Sequence, residues 1–187
     1  DFNRNGVEVF DSAATTGVLT ARTDQASCIT QNGSAESGPG DCLDGRGLSF
    51  AYQVAAAPDG RTLYVSGEAS STAGVAVLRL DPTTGALSQP VGPDGCATVA
   101  GADGDSGTTC AAVPSVGNTY GLVLGPDGRT LYPLNRNSNG RVSVLRIDPS
   151  TGLVSPLPGT AACVSGDGKD AALTPGACVD ARALEGA

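Results

Sequence analysis

The sequence predicts an all-β repeat protein, and three observations predict it. The stretch APDGRTLYVSG at 57–67 returns as GPDGRTLYPLN at 125–135, 68 positions later. Valine-rich segments lead through a turn into Thr-Gly three times, and the glycines, Gly17, Gly85 and Gly152, stand 68 and 67 residues apart. The 187 residues carry 27 Gly, 12 Pro, 4 Tyr, 3 Phe and no Trp, and no stretch holds a long apolar 3.6-residue period. Small residues, valines and turn formers suit short strands joined by tight loops rather than helices.

Each repeat reads as four strands. The first covers 52–57 and, in the next copy, 120–125. Pro-Asp-Gly then turns the chain tightly: Pro pre-sets φ, Asp bonds nearby backbone, and Gly accepts positive φ. The second strand follows at 61–66 and 129–134. A polar loop (67–74; 135–140) leads to the third at 75–80 and 142–147, apolar on both faces except at Arg79 or Arg146. Asp-Pro-Thr-Thr-Gly or Asp-Pro-Ser-Thr-Gly turns into a fourth, starting near Ala86 or Leu153. A strand apolar on both faces suits a sheet covered by neighbouring sheets. Four short antiparallel strands per repeat, stacked radially, describe β-propeller blades. A β-solenoid is the alternative, though its repeats are shorter and lack two hairpin turns each.

Residues 1–6 match 135–140, the loop before a third strand. The expectation is therefore a partial β-propeller over 1–187, with long disulfide-closed loops on one rim. It divides into an outer half-blade and loop at 1–50, then a blade and loop at each of 51–118 and 119–187. Two and a half blades do not close the usual ring of four to eight. The exposed faces are expected to be covered by remaining blades of the same protein, or by other copies or subunits.

The segment PDGRTLYPLNRNSNGRVSVLRIDPSTGLV at 126–154 resembles the YVTN-type propeller repeat and, by extension, the lactonase-like seven-bladed propellers. The likeness covers three copies and nearly all the chain outside the long loops. It implies a propeller fold, and as an activity it offers hydrolysis of a sugar or aromatic lactone in a central channel. Such chemistry needs a base or a metal-activated water at neutral pH. This chain has no histidine and no G-x-S-x-G elbow, so the catalytic residues of such an enzyme would lie in blades outside it. A binding or structural module, presenting loops to a partner or assembling into a larger structure, asks less of these residues.

The six cysteines fall into two sets of equivalent positions: Cys28, Cys96 and Cys163, then Cys42, Cys110 and Cys178. Pairing within each repeat gives Cys28–Cys42, Cys96–Cys110 and Cys163–Cys178, with none left over. The other symmetric scheme, Cys42–Cys96 with Cys110–Cys163, strands Cys28 and Cys178. Local pairing closes loops of about fifteen residues, each worth roughly 3 kcal/mol in the chain-entropy model. Zinc is the competing reading, but C-x13-C spacing without histidine suits it poorly. Disulfides imply an oxidising compartment, hence a secreted, periplasmic or cell-surface protein.

Formal net charge is −8, from 19 acidic and 11 basic residues, and Lys169 is the only lysine. Without a basic footprint, nucleic acid is excluded as a partner and an anionic membrane surface is disfavoured. No apolar run approaches the length of a membrane-spanning helix. Antiparallel strands alternate their connections between two rims. One rim should carry the tight turns. The other should carry the long loops, with Asp41, Asp44, Glu68, Asp94, Asp103, Asp105, Asp167, Asp170 and Asp180.

Long loops on a rigid scaffold are where ligands are usually held, so a protein or glycan ligand is expected at this acidic rim. The alternative is that its charge serves only solubility. Asp103 with Asp105, and Asp167 with Asp170, are weak calcium candidates. Neither pair matches the D-x-D-x-D-G loop, and Lys169 places a cation in the second. No catalytic residue and no other cofactor is expected. The equivalent arginines (Arg61 and Arg129; Arg79 and Arg146) are expected to pair with turn aspartates, and Tyr64 and Tyr132 to fill the space between blades.

Overall fold

The computed structural model describes residues 5–35, 38–69, 72–103, 110–136, 140–182 and 184. They form short strands in three successive units. The first holds β1 (Gly6–Glu8), β2 (Phe10–Ser12), β3 (Leu19–Ala21), β4 (Cys28–Thr30), β5 (Ser34–Ala35), β6 (Gly38–Pro39) and β7 (Leu43–Asp44). The second holds β8 (Ala51–Ala56), β9 (Thr62–Gly67), β10 (Gly74–Leu80), β11 (Leu87–Ser88), β12 (Cys96–Thr98) and β13 (Ala111–Ala112). In the third are β14 (Thr119–Leu124), β15 (Thr130–Asn135), β16 (Arg141–Ser143), β17 (Leu145–Ile147), β18 (Val154–Pro156), β19 (Cys163–Ser165) and β20 (Val179–Asp180). The fold is all-β, and its sheets are propeller blades.

In the second unit β8, β9 and β10 run antiparallel in that order, and β10 then pairs with both β11 and β12. The fourth strand is thus split in two by a 3-10 turn at Gly92–Gly95. The same interruption falls at Gln25–Ser27 and Gly159–Ala162. Beyond it each unit adds a two-residue strand that runs parallel to its neighbour: β7 on β4, β13 on β12, β20 on β19. The sequence pattern shows neither the split nor the parallel edge. Both lie where a cysteine begins the returning strand and the disulfide brings the far end of the loop alongside.

The turns behave as their residues dictate. Asp59 Oδ1 accepts the amides of Arg61 and Thr62, each at 2.8 Å, and Asp127 Oδ1 accepts that of Arg129 at 2.9 Å. At the other hairpin Asp81 and Asp148 do likewise for the residues two and three ahead. Gly17, Gly85 and Gly152 all adopt φ between 62 and 71°, the left-handed conformation that favours glycine.

Strand alternation divides the interior in two. Tyr64, Val75 and Val77 belong to one buried cluster with Leu122, Leu131, Leu145 and Ile147 of the third unit. Val65, Ala76 and Leu78, their neighbours in sequence, belong to a second with Ile29, Leu48 and Leu87, against Val7 and Val9 of the first unit. The middle sheet is therefore buried on both faces, as a blade between two others must be.

Candidate functional site

β8 and β14 are the first strands of their units and pack beside one another. The repeat places Tyr52 on one and Tyr120 on the other, 68 positions apart. Their rings meet edge to face, centroids 5.2 Å apart at 64°, the geometry aromatic quadrupoles favour. Gln53 fixes the spacing: its side-chain amide accepts from the Leu122 amide at 2.9 Å and donates to the Leu122 carbonyl at 3.3 Å.

Two charged groups complete this corner. Arg136, directly after β15, sets its guanidinium 5.1 Å from the Tyr120 ring centroid. Glu68, directly after β9, accepts the Tyr120 hydroxyl. That hydrogen bond, chiefly, holds the Tyr120 phenol above its ordinary pKa. Tyr52 is 56% exposed. The corner offers an aromatic edge, a cation and a carboxylate to solvent. Of these, the acidic rim expected from the sequence includes only Glu68; the signal for the rest is that Tyr120 and Arg136 stand 68 positions after Tyr52 and Glu68.

The disulfides join Cys28 to Cys42, Cys96 to Cys110 and Cys163 to Cys178. Polar side chains tie the loops down, with Gln31 and Arg141 buried and Arg46 half-buried. Gln31 donates to the Asp103 carbonyl at 2.9 Å and accepts from the Leu48 amide at 2.7 Å. Arg46 donates to the carbonyls of Gly92 and Pro90 in the second unit. Arg141 donates to those of Lys169 and Asp170.

The acidic candidates are dispersed among these loops. Asp103 is buried, at 1% exposure; Asp105 lies outside the described residues. Asp167 accepts the Lys169 amide at 3.1 Å and pairs with its ammonium at 3.2 Å. Asp170 accepts the Thr174 amide at 2.9 Å. Among the described residues, no three acidic or cysteine side chains converge as a metal site would require.

Of the equivalent arginines, Arg79 acts by its charge on the turn aspartate Asp59, with Thr62 between them. It donates to Thr62 Oγ1 and, across the seam between units, to the carbonyl of Thr151. A carbonyl at the tip of a turn has no strand partner, so a guanidinium from the neighbouring sheet fills that need. Tyr64, fully buried, donates to the next carbonyl, Gly152, at 2.9 Å. At the previous seam Arg22 donates to the carbonyl of Thr84, the residue equivalent to Thr151. Asp11 occupies the position of Arg79 in the first unit, 3.9 Å from Arg22. The contact is the same, supplied from a different strand.

Successive antiparallel sheets joined face to face through such seams define the chain as a β-propeller-type protein. No protein-family model matches it, nor does any curated protein. Solved structures do. A protein of Bacteroides fragilis, provisionally named a 6-phosphogluconolactonase, aligns over 83% of this chain and 32% of its own, at 19% identity and TM-score 0.50. A similarly named Bacteroides uniformis protein gives 79%, 32%, 19% and 0.45, and a Lactobacillus plantarum protein 82%, 48%, 17% and 0.33. The chain spans about a third of the length of the two Bacteroides proteins. At this identity the likeness bears on the fold alone. The three disulfides point to an oxidising environment, and no described helix is long and apolar enough to cross a membrane.

Proposed function

We propose that this chain is a secreted or cell-surface propeller module that binds a neutral glycan at the Tyr52–Tyr120 corner. The observation that carries the reading is the convergence of the exposed Tyr52 ring, the Arg136 guanidinium and the Glu68 carboxylate around Tyr120, beside the neighbouring first strands β8 and β14. Tyrosine offers an apolar face with a polar tip, while arginine donates and carboxylate accepts toward hydroxyls. A few convergent polar groups on an aromatic surface are the usual makings of a ligand site. Net charge of −8 disfavours a polyanionic ligand.

The test is calorimetric titration with a panel of neutral oligosaccharides, repeated on Tyr120→Ala and Arg136→Ala. Saturable binding that weakens at least tenfold in both variants supports the reading. Binding that neither variant alters, or none across the panel, overturns it.

A second reading, a lactonase-like hydrolase, draws on the names of the two Bacteroides proteins. Glu68 would be its candidate base here, and other catalytic groups would lie in blades outside this chain. Proton release from δ- and γ-lactones in the presence of the protein, abolished in Glu68→Gln, would favour it over the binding module.

A further inference from the structure

At the long-loop rim, two polar side chains fill the seam between the first and second units. Gln89 accepts the Arg46 amide at 2.9 Å and donates to the carbonyls of Arg46 at 2.9 Å and Gly95 at 2.8 Å. The Arg46 guanidinium donates to the carbonyls of Pro90 and Gly92, where the 3-10 turn begins. In the next seam Pro114 stands 68 positions after Arg46, and Pro156 stands 67 after Gln89. Proline has no side-chain donor to take their place.

At that place lies an open cavity of about 370 Å³, with Pro114, Pro156, Leu157, Ala162 and Ala177 as its apolar wall. These residues all come from the second and third units, so the cavity is bounded within this chain. Leu157 and Gly159, which also line it, are the equivalents of Pro90 and Gly92. Gly159 repeats the positive φ of Gly92, 60° against 73°. Among the described residues, no side chain donates to either carbonyl. Ser115 lies in the same wall at 3% exposure, and its hydroxyl oxygen has no hydrogen-bond partner among the described residues. Asp170, at 6%, adds a carboxylate whose Oδ1 accepts the Thr174 amide at 2.9 Å.

We propose that this cavity binds a primary alkylammonium, with its chain along Pro114 and Pro156 and its head among the acceptors. Those acceptors are the carbonyls of Leu157 and Gly159, the Ser115 hydroxyl and the Asp170 carboxylate. The first seam supplies the precedent, because there the equivalent carbonyls take hydrogen bonds from a side-chain cation. Net charge of −8 favours a cation. Buried Arg141 offsets part of the Asp170 charge, so the carbonyls must share in holding the head. That head is an ammonium rather than a guanidinium for a steric reason. A Cβ on Gly95 would lie 2.5 Å from Arg46 Nη2, and Ala162 carries that Cβ in the third unit. A compact ammonium fits beside the methyl where a planar guanidinium does not. A free amine and the lysine side chain of another protein share this chemistry.

The experiment is calorimetric titration of the oxidised chain with n-pentylamine, n-pentylguanidine and acetyl-lysine methylamide at neutral pH. Pentylamine is expected to saturate with a Kd on the order of 1 mM, the reach of about six heavy atoms. Pentylguanidine should bind about tenfold more weakly. Pro114→Arg with Ala162→Gly restores the pair that fills the first seam and should abolish pentylamine binding. Asp170→Asn, which keeps an acceptor for the Thr174 amide, should weaken binding about fivefold or more; it serves if thermal unfolding shows that the double variant does not fold. Acetyl-lysine methylamide binding as tightly as pentylamine assigns the site to a lysine side chain; pentylamine binding without it assigns a free amine. No saturable binding of pentylamine overturns the proposal. So does equal binding of the guanidine, or binding that a folded variant leaves intact.

Discussion

The hydroxyl of Tyr64 donates to the carbonyl of Gly152 at 2.9 Å, joining residues 88 apart across the seam between the second and third units. Tyr132, its repeat equivalent, stands half-buried and lines an open cavity with Arg146. Tyr64→Phe should cost about 1 kcal/mol by leaving a buried carbonyl without its donor. Tyr132→Phe should stay within about 0.5 kcal/mol of wild type. Urea denaturation of the two variants makes the comparison.

Burial, chiefly, pushes the Tyr64 phenol up to about 12, with the nearby Asp59 carboxylate adding to it. Unfolded, the phenol titrates near its ordinary value of about 10. Between those values the unfolded state has released a proton that the folded state keeps, so stability falls as pH rises. The contribution is fully present below pH 10 and declines through about pH 12, by on the order of 2 kcal/mol. In Tyr64→Phe this part of the alkaline loss should vanish. Chemical denaturation at a series of alkaline pH values reads it directly.

Tyr120 is raised for a different reason, its hydrogen bond to Glu68. Replacing Glu68 by Gln removes the carboxylate and should bring the phenol back toward its ordinary value. Ultraviolet titration of tyrosinate absorbance, compared between wild type and Glu68→Gln, shows the shift downward if the corner is assembled as described. No shift would mean that the hydroxyl and the carboxylate do not meet.

The Cys96–Cys110 bridge closes a loop with a sequence separation of 14. The double substitution Cys96→Ser with Cys110→Ser should cost about 3 kcal/mol, since the reduced unfolded chain regains the freedom of an open loop. It should also release β13, whose parallel pairing with β12 lies just beyond the bridge. Thermal unfolding gives the first effect, and hydrogen exchange at Ala111 and Ala112 the second.

The blade core was legible because its signals are local. Asp59 and Asp127 turn the chain where their motif says, and Val75 to Leu78 alternate between two covered faces, as a strand apolar on both sides must. The split fourth strand was hidden, because Leu87–Ser88 and Cys96–Thr98 carry too few residues for any period. Ala111–Ala112 likewise has no pattern, and its pairing follows from the disulfide rather than from propensity. Arg22 carries no repeat signal because the first unit moves its guanidinium from the third strand to the end of the fourth, leaving Asp11 in the equivalent place. Repeat alignment finds residues that keep their position, and this contact keeps only its chemistry. The Tyr52–Tyr120 corner joins side chains of different units outside the buried clusters, where no hydrophobic pattern is left to read.

The stacking of units through a guanidinium and a turn glycine is tested most directly by denaturant unfolding of Gly152→Asn beside Gly17→Asn, in dilute oxidised protein. Asparagine is tolerated in both left-handed turns, but at Gly152 its Cβ would crowd Thr62 Oγ1 at 2.7 Å and the guanidinium of Arg79 at 2.8 Å. The expected result is a loss of about 1–3 kcal/mol in Gly152→Asn and a change within about 0.5 kcal/mol in Gly17→Asn. Equal effects in the two variants would contradict the seam.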